Sequence, residues 1–66
     1  MKITVNGRKR TLPEGLTLQA CLAELKLDQR AAVVEHNRVV VRREEFPAVL
    51  LQDGDILEVV RFVGGG

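Results

Sequence analysis

No serine, tryptophan or tyrosine occurs among the 66 residues, and the chain has one cysteine, one histidine and two phenylalanines. Without serine a Ser-His-Asp triad cannot be built. A single histidine, His36, and no cysteine pair give no metal site with zinc-type ligand spacing. The lone thiol, Cys21, cannot close an internal disulfide, whereas small secreted domains usually depend on several. Two aromatics, Phe46 and Phe62, make no stacking platform for bases. A net charge of +1 lacks the clustered basic excess of a nucleic-acid binder. No apolar run approaches the roughly 20 residues that span a bilayer, and Lys2 is followed by alternation rather than by a signal-peptide core. Nucleic acid and membrane are therefore not expected as partners, and the cytoplasm is the expected location. No glycine-rich loop precedes a helix, so no bound nucleotide cofactor is expected.

What is present suits one small packed domain. Apolar residues are 45% and charged residues 29% of the chain, which is not the signature of disorder. A domain of this size buries only about 60% of the surface its unfolded chain exposes, so its stability is modest.

Met1 to Asn6 alternates apolar and polar, as a strand with one face on a core does. Asn6-Gly7 tolerates the positive φ of a tight hairpin. The returning segment, Arg8 to Leu12, is polar in either register. A two-residue turn sets Arg8 and Arg10 on the face of Val5 and Ile3; a longer loop sets Lys9 and Thr11 there. Both registers make it a charged edge strand. After the turn Pro13-Glu14-Gly15, Thr17 can cap a helix, with Leu16 and Cys21 as a hydrophobic staple. Leu18, Cys21, Leu22 and Leu25 form one helical stripe. The helix is expected to run about ten residues, fading near Leu27-Asp28, and to need a sheet beneath it.

Ala32–His36 and Val39–Val41 are β-branched runs around Asn37-Arg38, which predicts a second hairpin. Arg42 to Phe46, stopped by Pro47, fits an irregular link or a single helical turn. Asp53-Gly54-Asp55 is the last turn. Ile56 to Val63 is apolar on both faces except at Glu58 and Arg61, which predicts a central strand. Fold class is therefore α+β, a mixed sheet of four to five strands on one main helix. The first and last strands run parallel if they are neighbours. Residues 1–63 form the domain and residues 64–66 a flexible glycine tail.

Three consecutive glycines are roughly a 1 in 3,000 coincidence at one site, given a usage of about 7%, which disfavours a merely frayed end. Glycine takes almost any φ/ψ and can thread a narrow channel. From Val63 to Gly66 the chain reaches at most roughly 13 to 14 Å. A terminal carboxylate, with pKa about 3.3 to 3.7, is ionised and a poor electrophile at neutral pH. Another enzyme must activate it, for instance as a mixed anhydride with AMP. With no side chain at Gly66 the acyl carbon is open, and a sulfur nucleophile there yields a thiocarboxylate.

Several blocks carry a family likeness: Ile3-Thr4-Val5-Asn6-Gly7, Thr17-Leu18, Val34-Glu35-His36-Asn37, Val40 to Phe46, Asp53-Gly54-Asp55, and Leu57 to Gly66. On them the whole chain resembles the ThiS family of sulfur carriers in thiamin thiazole biosynthesis, which have the ubiquitin-like β-grasp fold. The last block is the most specific. Relatives often carry Pro where Arg42 stands and Trp or Tyr where Phe46 stands, departures confined to a loop. The resemblance implies that a ThiF-like enzyme spends ATP to adenylate Gly66, that a sulfur donor system converts it to a thiocarboxylate, and that a ThiG-like thiazole synthase accepts the sulfur. It assigns Gly65 and Gly66 the working role and Gly64 flexible support, with Arg61, Phe62 and Val63 at a partner interface. The free carrier is expected to be a monomer, with no bound cofactor and no catalysis of its own. Alternatives are a MoaD-like carrier for molybdopterin synthesis, a ubiquitin-like modifier attached through Gly66, and a plain interaction module.

Cys21, on the apolar stripe, reads as a small core hydrophobe rather than a relay thiol. His36 reads as a hairpin residue, and Phe62 as core or interface packing. Arg8, Lys9 and Arg10 with Arg42 and Arg43 form either a docking surface for an acidic patch or a solvated face.

Overall fold

The computed structural model describes residues 1–27 and 32–61. Two hairpins and a final strand build the sheet: β1 Lys2–Val5, β2 Arg8–Thr11, β3 Ala32–His36, β4 Val39–Val41 and β5 Ile56–Arg61. Between the hairpins lies helix α1, Leu18–Glu24, and a 3₁₀ helix, Arg43–Ala48, precedes β5. Strand order is β2-β1-β5-β3-β4. β5 runs parallel to β1, with Thr4 beside Ile56, and antiparallel to β3, with Glu35 beside Glu58. The expected parallel pairing and central last strand are both found, in the β-grasp arrangement.

Each hairpin turns on two residues of positive φ: Asn6 at 50° and Gly7 at 81°, then Asn37 at 50° and Arg38 at 71°. Such turns match the twist of the strands they join. They also settle the register of β2, since Val5 pairs with Arg8 and Ile3 with Arg10. The two arginines therefore lie on the helix side of the sheet, yet remain exposed because β2 is its edge. Turn geometry outweighs the apolar pattern where no core extends beneath the strand.

Thr17 caps α1, its Oγ1 accepting from the N–H of Ala20 at 3.1 Å. The helix is shorter than the expected ten residues. Lys26 adopts φ 59°, the N–H of Lys26 bonds Ala23 O at 3.0 Å, and that of Leu27 bonds Leu22 O at 2.9 Å. This closing motif ends the helix and folds Leu27 back toward the core. Lysine's good helix propensity loses to the burial of Leu27.

One face of the sheet is covered. Ile3, Val5, Leu57, Val59 and Val34 from the strands pack with Leu18, Cys21 and Leu22 from α1, Phe46 from the 3₁₀ helix, and Leu12 and Leu51. The link before β5 straps the helix entry, with the N–H of Leu18 on Val49 O at 2.7 Å and that of Leu51 on Leu16 O at 2.9 Å. β5, central as expected, buries one of its two apolar faces: Leu57 and Val59 are buried, whereas Ile56 and Val60 stand exposed. A central strand in a two-layer fold has only one covered face. No helix among the described residues is long and apolar enough to cross a membrane.

Lys26→Gly removes a left-handed penalty of about 1–2 kcal/mol, part of which glycine's unfolded-state entropy offsets. Its urea midpoint should rise, with a net gain of about 0.5–1 kcal/mol. Leu22→Ala should lower stability by about 2–5 kcal/mol by the same measurement, since it opens a cavity under the sheet.

Candidate functional site

The candidate site is the end of β5 that leads toward the glycines, together with the sheet face around it. β5 reaches this position because two turn asparagines grip it from opposite sides. On the β1 side, Asn6 Oδ1 accepts the N–H of Val59 at 2.7 Å, and its Nδ2 donates to Val59 O at 3.1 Å. The side-chain amide thus replaces the strand residue that β1 no longer supplies. On the β3 side, Asn37 Oδ1 accepts the N–H of Ile56 at 2.8 Å while its own N–H donates to Ile56 O at 2.8 Å.

A polar cluster completes the second grip. Asp55 is an acceptor, so His36 carries its proton on Nε2 and donates to Asp55 Oδ2 at 2.7 Å. The Gln52 N–H reaches the same oxygen at 2.9 Å, and Asn37 Nδ2 donates to Oδ1 at 3.2 Å. Burial pushes the Asp55 carboxyl upward, but the donors from His36, Gln52 and Asn37 outweigh it, and the group titrates below the ordinary range. The hairpin role expected of His36 is found, with a partner the sequence did not reveal. Cys21 is fully buried. Desolvation, then the charge of Glu24, raises its pKa, which keeps it an unreactive thiol at neutral pH.

Among the described residues nothing covers the outer face of the sheet. Alternation sets Ile56, Glu58 and Val60 of β5, Val33 and Glu35 of β3, and Val40 of β4 on it. Val40 and Val60 are 61% and 57% exposed, which makes a patch rather than a scatter of single residues. Within it Glu35 stands directly across from Glu58.

Of the residues proposed from the sequence, Arg61 ends β5 opposite Ala32. Phe62, Val63, Gly64, Gly65 and Gly66 lie outside the described residues. The five-cation docking surface is not brought together. Arg8 and Arg10 face a groove with Leu25 and Leu27 at the end of α1, while Lys9 points to the other face beside Lys2 and Thr4. Arg42 and Arg43 follow β4 at the far edge of the sheet, where Arg42 pairs with Glu44 at 3.3 Å. The clamping roles of Asn6 and Asn37 and the opposed carboxylates were missed. Asn-Gly accounts fully for a turn, and a cross-strand pair exists only once a register is known. No group of three or more His, Cys, Asp or Glu among the described residues could hold a metal ion.

Known proteins show the same chain pattern. The family model described as ThiS family matches residues 3–66. A protein named sulfur carrier protein ThiS from Bacillus subtilis is 40% identical over 50 residues, 76% of this chain and 76% of its own. A thiazole synthase of Paramagnetospirillum magneticum is 41% identical over the whole chain, which spans 20% of that protein's length. Among solved structures, thiamine biosynthesis protein (ThiS) from Geobacter metallireducens superposes with a TM-score of 0.86 at 40% identity, covering 100% of both chains.

Because Asp55 titrates lower folded than unfolded, its contribution is complete above the unfolded value of about 4 and disappears as pH falls through the folded one. Asp55→Asn should therefore lose about 1–2 kcal/mol at neutral pH. Thermal melts across the acid range should show a flatter decline for this variant than for the parent below pH about 4.

Proposed function

The chain belongs to the ThiS family, and from that premise we propose that it carries sulfur as a thiocarboxylate on Gly66 for thiazole formation in thiamin biosynthesis. The observation that carries this reading is the strand leading to the tail. β5 is the central strand, gripped on both sides, and the chain continues past Arg61 through Phe62-Val63-Gly64-Gly65-Gly66. Five residues extend at most about 17 Å, enough to place the Gly66 carboxyl inside a partner's active site while the globule stays outside. Glycine at the last three positions removes side-chain bulk from that path.

The chemistry divides between partners. A ThiF-like enzyme transfers the AMP moiety of ATP to the Gly66 carboxylate, with pyrophosphate leaving. Sulfur from a donor system then displaces AMP and leaves a thiocarboxylate. A ThiG-like thiazole synthase accepts that sulfur. The likeness to thiazole synthase from Paramagnetospirillum magneticum supports the last partner, since a stretch like this chain occurs within it. The carrier itself positions one carbon atom and performs no catalysis.

Incubation with ATP, a sulfide source and the host's adenylating enzyme should raise the intact mass by the exchange of one oxygen for one sulfur. Deleting Gly65-Gly66, or adding one residue after Gly66, should abolish the gain and leave the melting temperature unchanged. Unchanged parent mass, with the enzyme active on another carrier, would reject the carrier reading in favour of an interaction module. The reading also requires Gly66 to be the last residue of the mature chain in its host, which the native protein's mass reports.

A further inference from the structure

The two edges of the sheet are unlike. β4 closes one with valines, and β2 closes the other with three cations in four residues. The Met1 ammonium donates to Leu12 O at 2.6 Å and the Leu12 N–H to Met1 O at 2.9 Å, so these two residues form a hydrogen-bonded pair. Such pairs alternate along an antiparallel ladder, which makes Arg10 with Ile3 and Arg8 with Val5 the next two. The N–H and C=O of Lys9 and Thr11 therefore point outward, and no strand among the described residues lies beyond them. On the helix side of this edge runs an open groove of about 240 Å³, lined by Arg8, Arg10, Leu25 and Leu27 with Val5 and Asn6. It is smaller than the roughly 300–1,000 Å³ of small-molecule sites. Lys9 stands on the opposite face beside Lys2, so cations flank the edge on both sides.

We propose that an extended acidic segment of a partner protein adds to the sheet along β2, with glutamate carboxylates on Arg8 and Arg10 and their methylene stems against Leu25 and Leu27. Main-chain hydrogen bonds to Lys9 and Thr11 hold the segment, and the side chains in the groove select it. Alternate residues of a strand lie about 6.6–6.8 Å apart on one face, so carboxylates two positions apart meet both guanidiniums. Each contact is charge-assisted and suits a bidentate fork. Cations on an edge oppose pairing with a like strand. That excludes a second β2 and makes an acidic segment the fitting occupant. A nucleic acid fits less well, since a phosphate backbone offers no donor to the outward carbonyls and the chain has only two aromatics for stacking. The groove is on the helix side of the sheet, and its use does not depend on the chemistry proposed for Gly66.

Full-length, isotope-labelled protein is titrated with two blocked peptides, one of alternating glutamate and valine and one with lysine in place of glutamate. With the glutamate peptide saturating, NMR-detected exchange of the Lys9 and Thr11 amides should slow about tenfold or more. The amides of Arg8 and Arg10, already bonded to β1, should change little. The lysine peptide should leave all four unchanged. Arg8→Gln/Arg10→Gln should bind the glutamate peptide about tenfold more weakly. Its melting temperature should match the parent's, because both side chains are exposed. Arg8→Glu/Arg10→Glu should invert the preference and take the lysine peptide. Added salt should weaken binding of the glutamate peptide to the parent.

Equal binding of the two peptides would overturn the proposal. So would binding that leaves the Lys9 and Thr11 amides unprotected, since no strand would then be added at this edge. A poly-uridine oligonucleotide that binds the same residues more tightly than the glutamate peptide would overturn it in favour of a nucleic acid. Absence of binding by the parent would reject it outright. Should the glutamine variant melt lower, amide protection in the parent still decides, because that readout involves no substitution.

Discussion

Everything in this fold hangs on the placement of β5 between two strands that arrive from distant parts of the chain. It pairs with β1 across more than fifty residues of sequence and with β3 across about twenty-five. Backbone pairing on the β1 side stops with the Asn6 N–H on Leu57 O at 2.9 Å, where the chain turns, and β5 would lose its partner beyond Leu57. Asn6 prevents this by offering Val59 both an acceptor and a donor from its side chain. Asn37 does the equivalent at Ile56 on the other side. A buried strand with unpaired amides is costly, so two residues chosen for their turns also complete the central ladder.

The same placement determines what the surface offers. α1 and the 3₁₀ helix cover one face, and none of the described residues covers the other. The core lies on the first, with Cys21 sealed inside as an inert thiol. The second stays open beside the strand that leads to the glycines. If the chain carries sulfur on Gly66 as proposed, the reacting carbon needs a rigid strand at its root, and β5 supplies one.

Much of this was legible in residue patterns. Asn-Gly announced the first hairpin, Thr17 the helix start, and the valine runs the second hairpin. The helix end was not, because Lys26 is a good helix former and its left-handed conformation depends on Leu27 finding the core. The register of β2 stayed open, since an all-polar strand contains no preference for either face. The five cations looked like one cluster only in projection along the chain. Sheet order sends Arg8 and Arg10 to one edge, Arg42 and Arg43 to the other, and strand alternation sends Lys9 to the opposite face.

Sequence alone determined the element order, the turns, the apolar stripe of α1 and the glycine ending, since each is written in neighbouring residues at spacings of two to four. Tertiary structure alone decided that Glu35 meets Glu58, that His36 bonds Asp55, and that two turn asparagines hold the central strand. Those relations join residues 19 to 53 positions apart. Local spacing contains no information about which strand will lie beside which until burial of one shared core selects the register.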